Sequence, residues 1–202
     1  MSQFRPSLNE WLTAEFWPQG TQPDAPKVYA LLDGARDPHI ESLVRSSGAE
    51  FSCLYAGELA PSLSAAAPYL LQLDPQQPYT WRLLEEGWGQ SWGSFVIAPA
   101  HVSLDDLRSH FRTLLRVTDP DGNLLVFRFY DPRVLRVYLP TCTAQERAAM
   151  FGPASKLIAE TSTGNSLIVY PADPAGGAAA RVSGWPSADA VGQYGLAPLA
   201  VK

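Results

Sequence analysis

The stretch Phe127-Arg128-Phe129-Tyr130-Asp131-Pro132-Arg133-Val134-Leu135-Arg136 limits what this chain can fold into more than any other segment. Leu124 to Tyr130 reads as a strand, because aromatic and β-branched residues follow the turn residues Asp119-Pro120-Asp121-Gly122-Asn123. Alternation puts Leu124, Val126, Arg128 and Tyr130 on one face and Leu125, Phe127 and Phe129 on the other. Asp131-Pro132 then opens a helix: the carboxylate caps free amides, and proline tolerates the first turn because its missing N–H had no partner to lose. A charge in so apolar a strand persists only when it is paired or put to use. The expectation is an ion-pair network of Asp33, Arg128 and Asp131. Asp33 closes another strand, where it either bonds the following turn's amides or pairs with Arg128.

The other elements follow in order. Ser7-Leu8-Asn9-Glu10 is a capping box opening a short helix, which the Pro/Gln-rich segment Pro18 to Pro26 ends. Lys27 to Leu32 reads as a buried strand, Asp37-Pro38 starts a helix through Arg45, and Phe51 to Ala56 is the next strand. That succession predicts a βαβ start. Tyr69–Leu73 and Ser94–Ala98 are further strands, with a helix over Thr80–Glu86 between them. Ser103-Leu104-Asp105-Asp106 caps a helix to Leu115, whose Leu104, Leu107, Phe111 and Leu114 form the buried stripe. Thr143-Ala144-Gln145-Glu146 caps another, and Lys156–Glu160 and Ser166–Tyr170 are two more strands. The fold class is α/β in the mixed α+β sense: a mixed sheet with flanking helices and a short irregular C-terminal tail. Its parts are an N-terminal helix and linker (1–26), a main domain (27–160) and a small appendage (161–202), with 171–202 loosely ordered and folded back through Trp185, Tyr194 and Leu196.

Composition removes several function classes. A net charge of −5 argues against nucleic acid and anionic membrane as partners. Cys53 and Cys142 lie far apart and share no metal-ligand spacing with His39, His101 or His110, so neither metal nor cofactor is expected. Reduced thiols, no signal pattern at the N-terminus and no apolar run near the roughly 20 residues of a membrane span point to a cytoplasmic protein.

Two segments hold candidate functional residues. Gly87-Trp88-Gly89-Gln90-Ser91-Trp92-Gly93 places two tryptophans in a glycine-rich loop, as the lid of a core or as anchors for a partner. It also matches G-x-S-x-G, the hydrolase elbow, with Ser91 as nucleophile. The elbow needs a strand before the serine and a helix after it, and the order here is the reverse. Arg108, Arg112 and Arg116 recur every four residues, as a solvated ridge or a docking face for an acidic partner. The partner-binding candidates are Trp88, Trp92, Arg128, Tyr130, Arg133 and Arg136, and no catalytic residue is assigned.

The central stretch, taken with Tyr29-Ala30-Leu31-Leu32-Asp33-Gly34-Ala35, Ala67-Pro68-Tyr69-Leu70, Gly87-Trp88-Gly89, Trp92-Gly93 and Phe151-Gly152-Pro153, resembles the bacterial family of type VI secretion adaptors, or effector-loading chaperones. The blocks run in the family's order over about residues 28–160. The resemblance implies a cytosolic binding protein that needs no cofactor. It would hold an effector (toxin) and help load it onto the VgrG spike, often with a PAAR-tip protein involved. The family's variable C-terminal region carries much of the cargo selectivity, and here only about fifty residues follow Phe151-Gly152-Pro153. A small Ser91 hydrolase and a toxin-binding immunity protein are the alternatives.

Overall fold

The computed structural model describes residues 7–119, 121–173 and 180–185. Among them the helices are α1 (Leu8–Phe16), α2 (His39–Ser46), α3 (Pro61–Ala65), α4 (Pro78–Gly87), α5 (Leu104–Leu114), α6 (Pro132–Tyr138) and α7 (Ala144–Phe151). The strands are β1 (Lys27–Asp33), β2 (Phe51–Cys53), β3 (Pro68–Leu73), β4 (Gly93–Ala98), β5 (Arg116–Thr118), β6 (Leu124–Val126), β7 (Lys156–Glu160), β8 (Ser166–Pro171) and β9 (Arg181–Gly184). Seven strands form one sheet in the order β2-β3-β1-β4-β7-β8-β9, and β5 and β6 form a separate two-stranded ribbon. The architecture is mixed α+β.

The βαβ start takes a split form. Strands β1 and β2 run the same way, but β3 lies between them and pairs antiparallel with both, so every pair of neighbours in the sheet is antiparallel. Composition explains why β1 is central: Lys27-Val28-Tyr29-Ala30-Leu31-Leu32-Asp33 is apolar on both faces, as a strand covered on both sides must be. Val28, Ala30 and Leu32 join the core beneath α1, α2 and α4, with Trp11, Phe16, Val44 and Leu84. Tyr29 and Leu31 join the opposite core beneath α5, α6 and α7, with Phe111, Phe129, Leu135 and Phe151. The second helical layer is a single insertion between the adjacent strands β4 and β7.

The helix starts follow from local chemistry. Ser7, Ser103 and Thr143 each form a reciprocal capping box with Glu10, Asp106 and Glu146. Gly93 is fixed by close packing, since a Cβ there would run into the Leu31 carbonyl and lie 2.8 Å from the Leu32 Cα. Backbone in the middle of a sheet cannot move aside as a side chain can. Gly93→Ala is therefore expected to lower unfolding free energy by about 2 kcal/mol, measured by urea denaturation.

Elements outside 27–160 share these cores. Helix α1 buries Trp11, Leu12 and Phe16, β8 pairs along the whole of β7, and β9 pairs with β8. Trp185 stacks on Trp11 with ring centroids 6.3 Å apart. The rest of the expected loose tail, Tyr194 and Leu196 included, lies outside the described residues. No helix among the described residues is long and apolar enough to cross a membrane.

Candidate functional site

The strand expected over Leu124–Tyr130 stops at Val126. There the Phe127 amide donates to the Leu115 carbonyl at 2.9 Å, and a turn closed by the Asp131 amide on the Arg128 carbonyl, 3.0 Å, drives Phe129 and Tyr130 into the core. The segment thus divides into an exposed ribbon and a buried anchor, with no long strand in the main sheet.

The anchor consumes the charges. Asp131 caps α6 by accepting from the Arg133 amide at 2.9 Å, and its carboxylate also takes two guanidinium nitrogens of Arg133, Nε at 2.9 Å and Nη2 at 2.6 Å. Burial alone would push the Asp131 carboxyl up, but the Arg133 hydrogen bonds and the Arg133 and Arg128 charges hold it below the usual carboxylate range. Arg128 pairs with Asp33, whose carboxylate also accepts from the Ala35 amide at 3.2 Å. The Asp33 side chain is 1% exposed and that of Arg128 41%, so the charge leaving water completely is the carboxylate. Asp33 and Arg128 form one pair and Asp131 and Arg133 the other. The Arg136 guanidinium donates to the Glu160 carbonyl.

Tyr130 is buried against Phe129. Burial raises its phenol, and burial together with Glu50 and Asp106 raises that of Tyr29 to about 12. A phenol with a raised folded pKa contributes stability in full below its unfolded value of about 10, and loses it as the pH climbs through the folded one. Phenolate absorbance from Tyr29 and Tyr130 is therefore expected to appear only with the loss of folded circular dichroism in an alkaline titration. Ionisation while the fold persists would contradict this burial.

The glycine–tryptophan loop joins α4 to β4. Trp92 lies in the core, and a Cβ on Gly87 would sit 2.6 Å from its ring. Half-buried Trp88 meets Trp11 edge-on at 5.5 Å, stacks near Phe95 and donates its indole N–H to the Gly164 carbonyl. The organising residue is Glu160, at the end of β7. Its buried carboxylate accepts from the Gly89 and Ser91 amides, both at 2.6 Å. Burial pushes this carboxyl up, outweighing the pull of the two amides. Ser91 therefore stands in a helix-to-strand turn at φ 56°, held through its backbone. The hydrogen bonds of His39 and His110 run to Asp37 and to the Met150 carbonyl, not to Ser91. Among the described residues, no group of three His, Cys, Asp or Glu side chains could hold a metal ion.

The six partner-binding candidates thus stand at or inside the scaffold: Trp92 and Tyr130 are buried, Trp88 is half-buried, and Arg128, Arg133 and Arg136 hold internal acceptors. Exposed apolar surface lies elsewhere. Of the eight large apolar side chains exposed among the described residues, four are on the β5–β6 ribbon: Val117, Leu124, Leu125 and Val126. Leu124 is 63% and Val126 61% exposed. The register places Arg116 opposite Val126 and Thr118 opposite Leu124 on one face, with Val117 and Leu125 on the other. A groove of about 680 Å³ lies beside the ribbon, lined by Leu54, Tyr55, Leu59, Leu63, Arg112 and Val126 among others. A second, more open hollow of about 730 Å³ follows Phe127, Arg128 and the outer side of α6, including exposed Val137.

Sequence reasoning did not single out the ribbon or Glu160. An exposed strand of apolar residues has the same composition as a buried one, and the available signal was polar Arg116 and Thr118 in its partner. Glu160 meets its loop across about seventy residues, which no local pattern records.

No curated protein and no solved structure matches the chain. A family model matches residues 28–149, which include the Asp33–Arg128 pair, the glycine–tryptophan loop and the exposed ribbon, while Glu160 lies beyond it. With more than half its length matched, the chain belongs to the family described as a domain of unknown function (DUF4123).

Proposed function

We propose that this protein is a cytosolic adaptor of bacterial type VI secretion, which holds an effector (toxin) protein and helps load it onto the VgrG spike, with a PAAR-tip protein as a further partner. The observation carrying this reading is an apolar ribbon presented to solvent by a scaffold with two packed cores. Exposed contiguous apolar surface on a well-packed domain is the usual mark of a protein-binding site. The order of the sequence blocks and membership of the family support the same reading. The role is binding: the adaptor shields apolar cargo surface before export and releases it on assembly, with no bond-making step of its own.

Co-expression with candidate effector and spike proteins from its genomic neighbourhood tests the reading. The expected result is a stable complex with an effector that survives size-exclusion chromatography. Reproducible failure to form one with any of them would overturn the proposal. A fluorophosphonate probe gives a second measurement: labelling that Ser91→Ala abolishes would favour a hydrolase instead.

A further inference from the structure

The groove beside the ribbon has a chemical polarity that narrows its occupant. Its walls are apolar: Leu54 and Leu115 are buried at its base, Leu59 is half-buried, and Leu63 and Val126 reach toward solvent. Arg112 and Arg116 also line it. The third arginine of that ridge, Arg108, is taken by Asp105 at 3.1 Å. Arg112 and Arg116 have no carboxylate within ion-pair distance among the described residues. The chain as a whole carries a net charge of −5, so two uncommitted guanidiniums beside an apolar trough run against its own balance. The ribbon adds a second indication. Two strands of three residues are marginal in water and gain most from a partner laid against them.

We infer that this groove takes an acidic, amphipathic segment of the partner protein. Its apolar side chains fill the trough between Leu59, Leu63 and Val126, and its carboxylates meet Arg112 and Arg116, which match carboxylates as planar, two-pronged donors. The chain's own C-terminal residues 186–202 fit poorly, because Asp189 is their only acidic side chain. The inference rests on the adaptor reading for the identity of the partner, but the groove's chemistry is testable without it.

A fluorescein-labelled peptide of alternating leucine and glutamate serves as probe, with its leucine–lysine counterpart as control, on the full chain. The expected result is saturable binding of the acidic peptide alone, weakened about tenfold or more by Arg112→Glu/Arg116→Glu and by Leu63→Asp/Val126→Asp. Arg82→Glu, on the exposed side of α4, should leave it unchanged. Circular dichroism and thermal melts establish that each variant is folded; were one of the paired variants unfolded, Arg112→Gln/Arg116→Gln and a chemical-shift map of the wild-type groove decide instead. Equal binding of both peptides, or variants within twofold of wild type, would overturn the inference. So would self-association that Leu63→Asp/Val126→Asp abolishes, which would assign the groove to a second copy of this chain. The same variants, assayed against a captured effector, separate the two claims. A complex they leave intact overturns the groove and spares the adaptor reading. Peptide binding without any effector complex does the reverse.

Discussion

Arg128→Ala is expected to lower the unfolding free energy by about 3 kcal/mol, the low end of the range for stranding a buried charge. The low end applies because the guanidinium is partly exposed and its pairing already partly screened. The reverse deletion should be milder. Asp33→Asn leaves an arginine that can turn to water, keeps an acceptor for the Ala35 amide, and should cost about 1 kcal/mol. The double variant Asp33→Asn/Arg128→Ala should lose less than the sum of the two single losses, because no unpaired carboxylate remains. Urea denaturation of the four proteins closes the cycle. Equal losses from the two single variants would show that Asp33 is not the desolvated partner.

Glu160→Ala carries the second large effect. It removes the acceptor of two backbone amides whose loop holds Trp88 against Trp11. Hydrogen bonds to a charged acceptor contribute roughly 1.5–3 kcal/mol each, and half-exposed Ser91 and exposed Gly89 recover part of that from water, so a net loss of about 3 kcal/mol is expected. Tryptophan fluorescence should shift to the red as Trp88 loosens. The raised carboxyl gives the pH dependence its sign. A carboxyl whose folded pKa exceeds its unfolded value adds stability fully below the unfolded value, about 4.3, and loses it as pH rises through the folded one. Wild type should therefore have its largest advantage over Glu160→Gln in acid, and the gap should narrow toward neutrality. A gap that widened with pH would mean that the two amides, and not burial, control Glu160.

How much of this was legible depended on how local each cause was. The capping boxes, the buried stripe of α5 and the Asp131 cap need only residues within one or two turns, and the chain's own spelling gives them. The Asp33–Arg128 pair spans the fold but was legible too, because a charge embedded in apolar residues requires a partner and few buried carboxylates were on offer. The ribbon was not. Leu124-Leu125-Val126 has the composition of a core strand, and its exposure follows from the Asp131 turn, which breaks the strand after Val126 and carries Phe129 and Tyr130 inward. The split β1–α2–β2 unit was half legible: the direction of the two strands follows from the helix between them, whereas the insertion of β3 is decided by sheet packing.

The placement of the second helical layer has a consequence for how the protein can be divided. Residues 99–155 are threaded between two strands that lie side by side, and the matched region ends inside α7, before β7. A fragment cut after residue 149 leaves Phe95, Val96 and Ile97 without the neighbours Ile158, Leu157 and Lys156. It turns the middle of the sheet into a bare, water-facing border of the kind that recruits foreign strands. Such a fragment should precipitate, and the shortest piece that stays in solution should reach at least through β8.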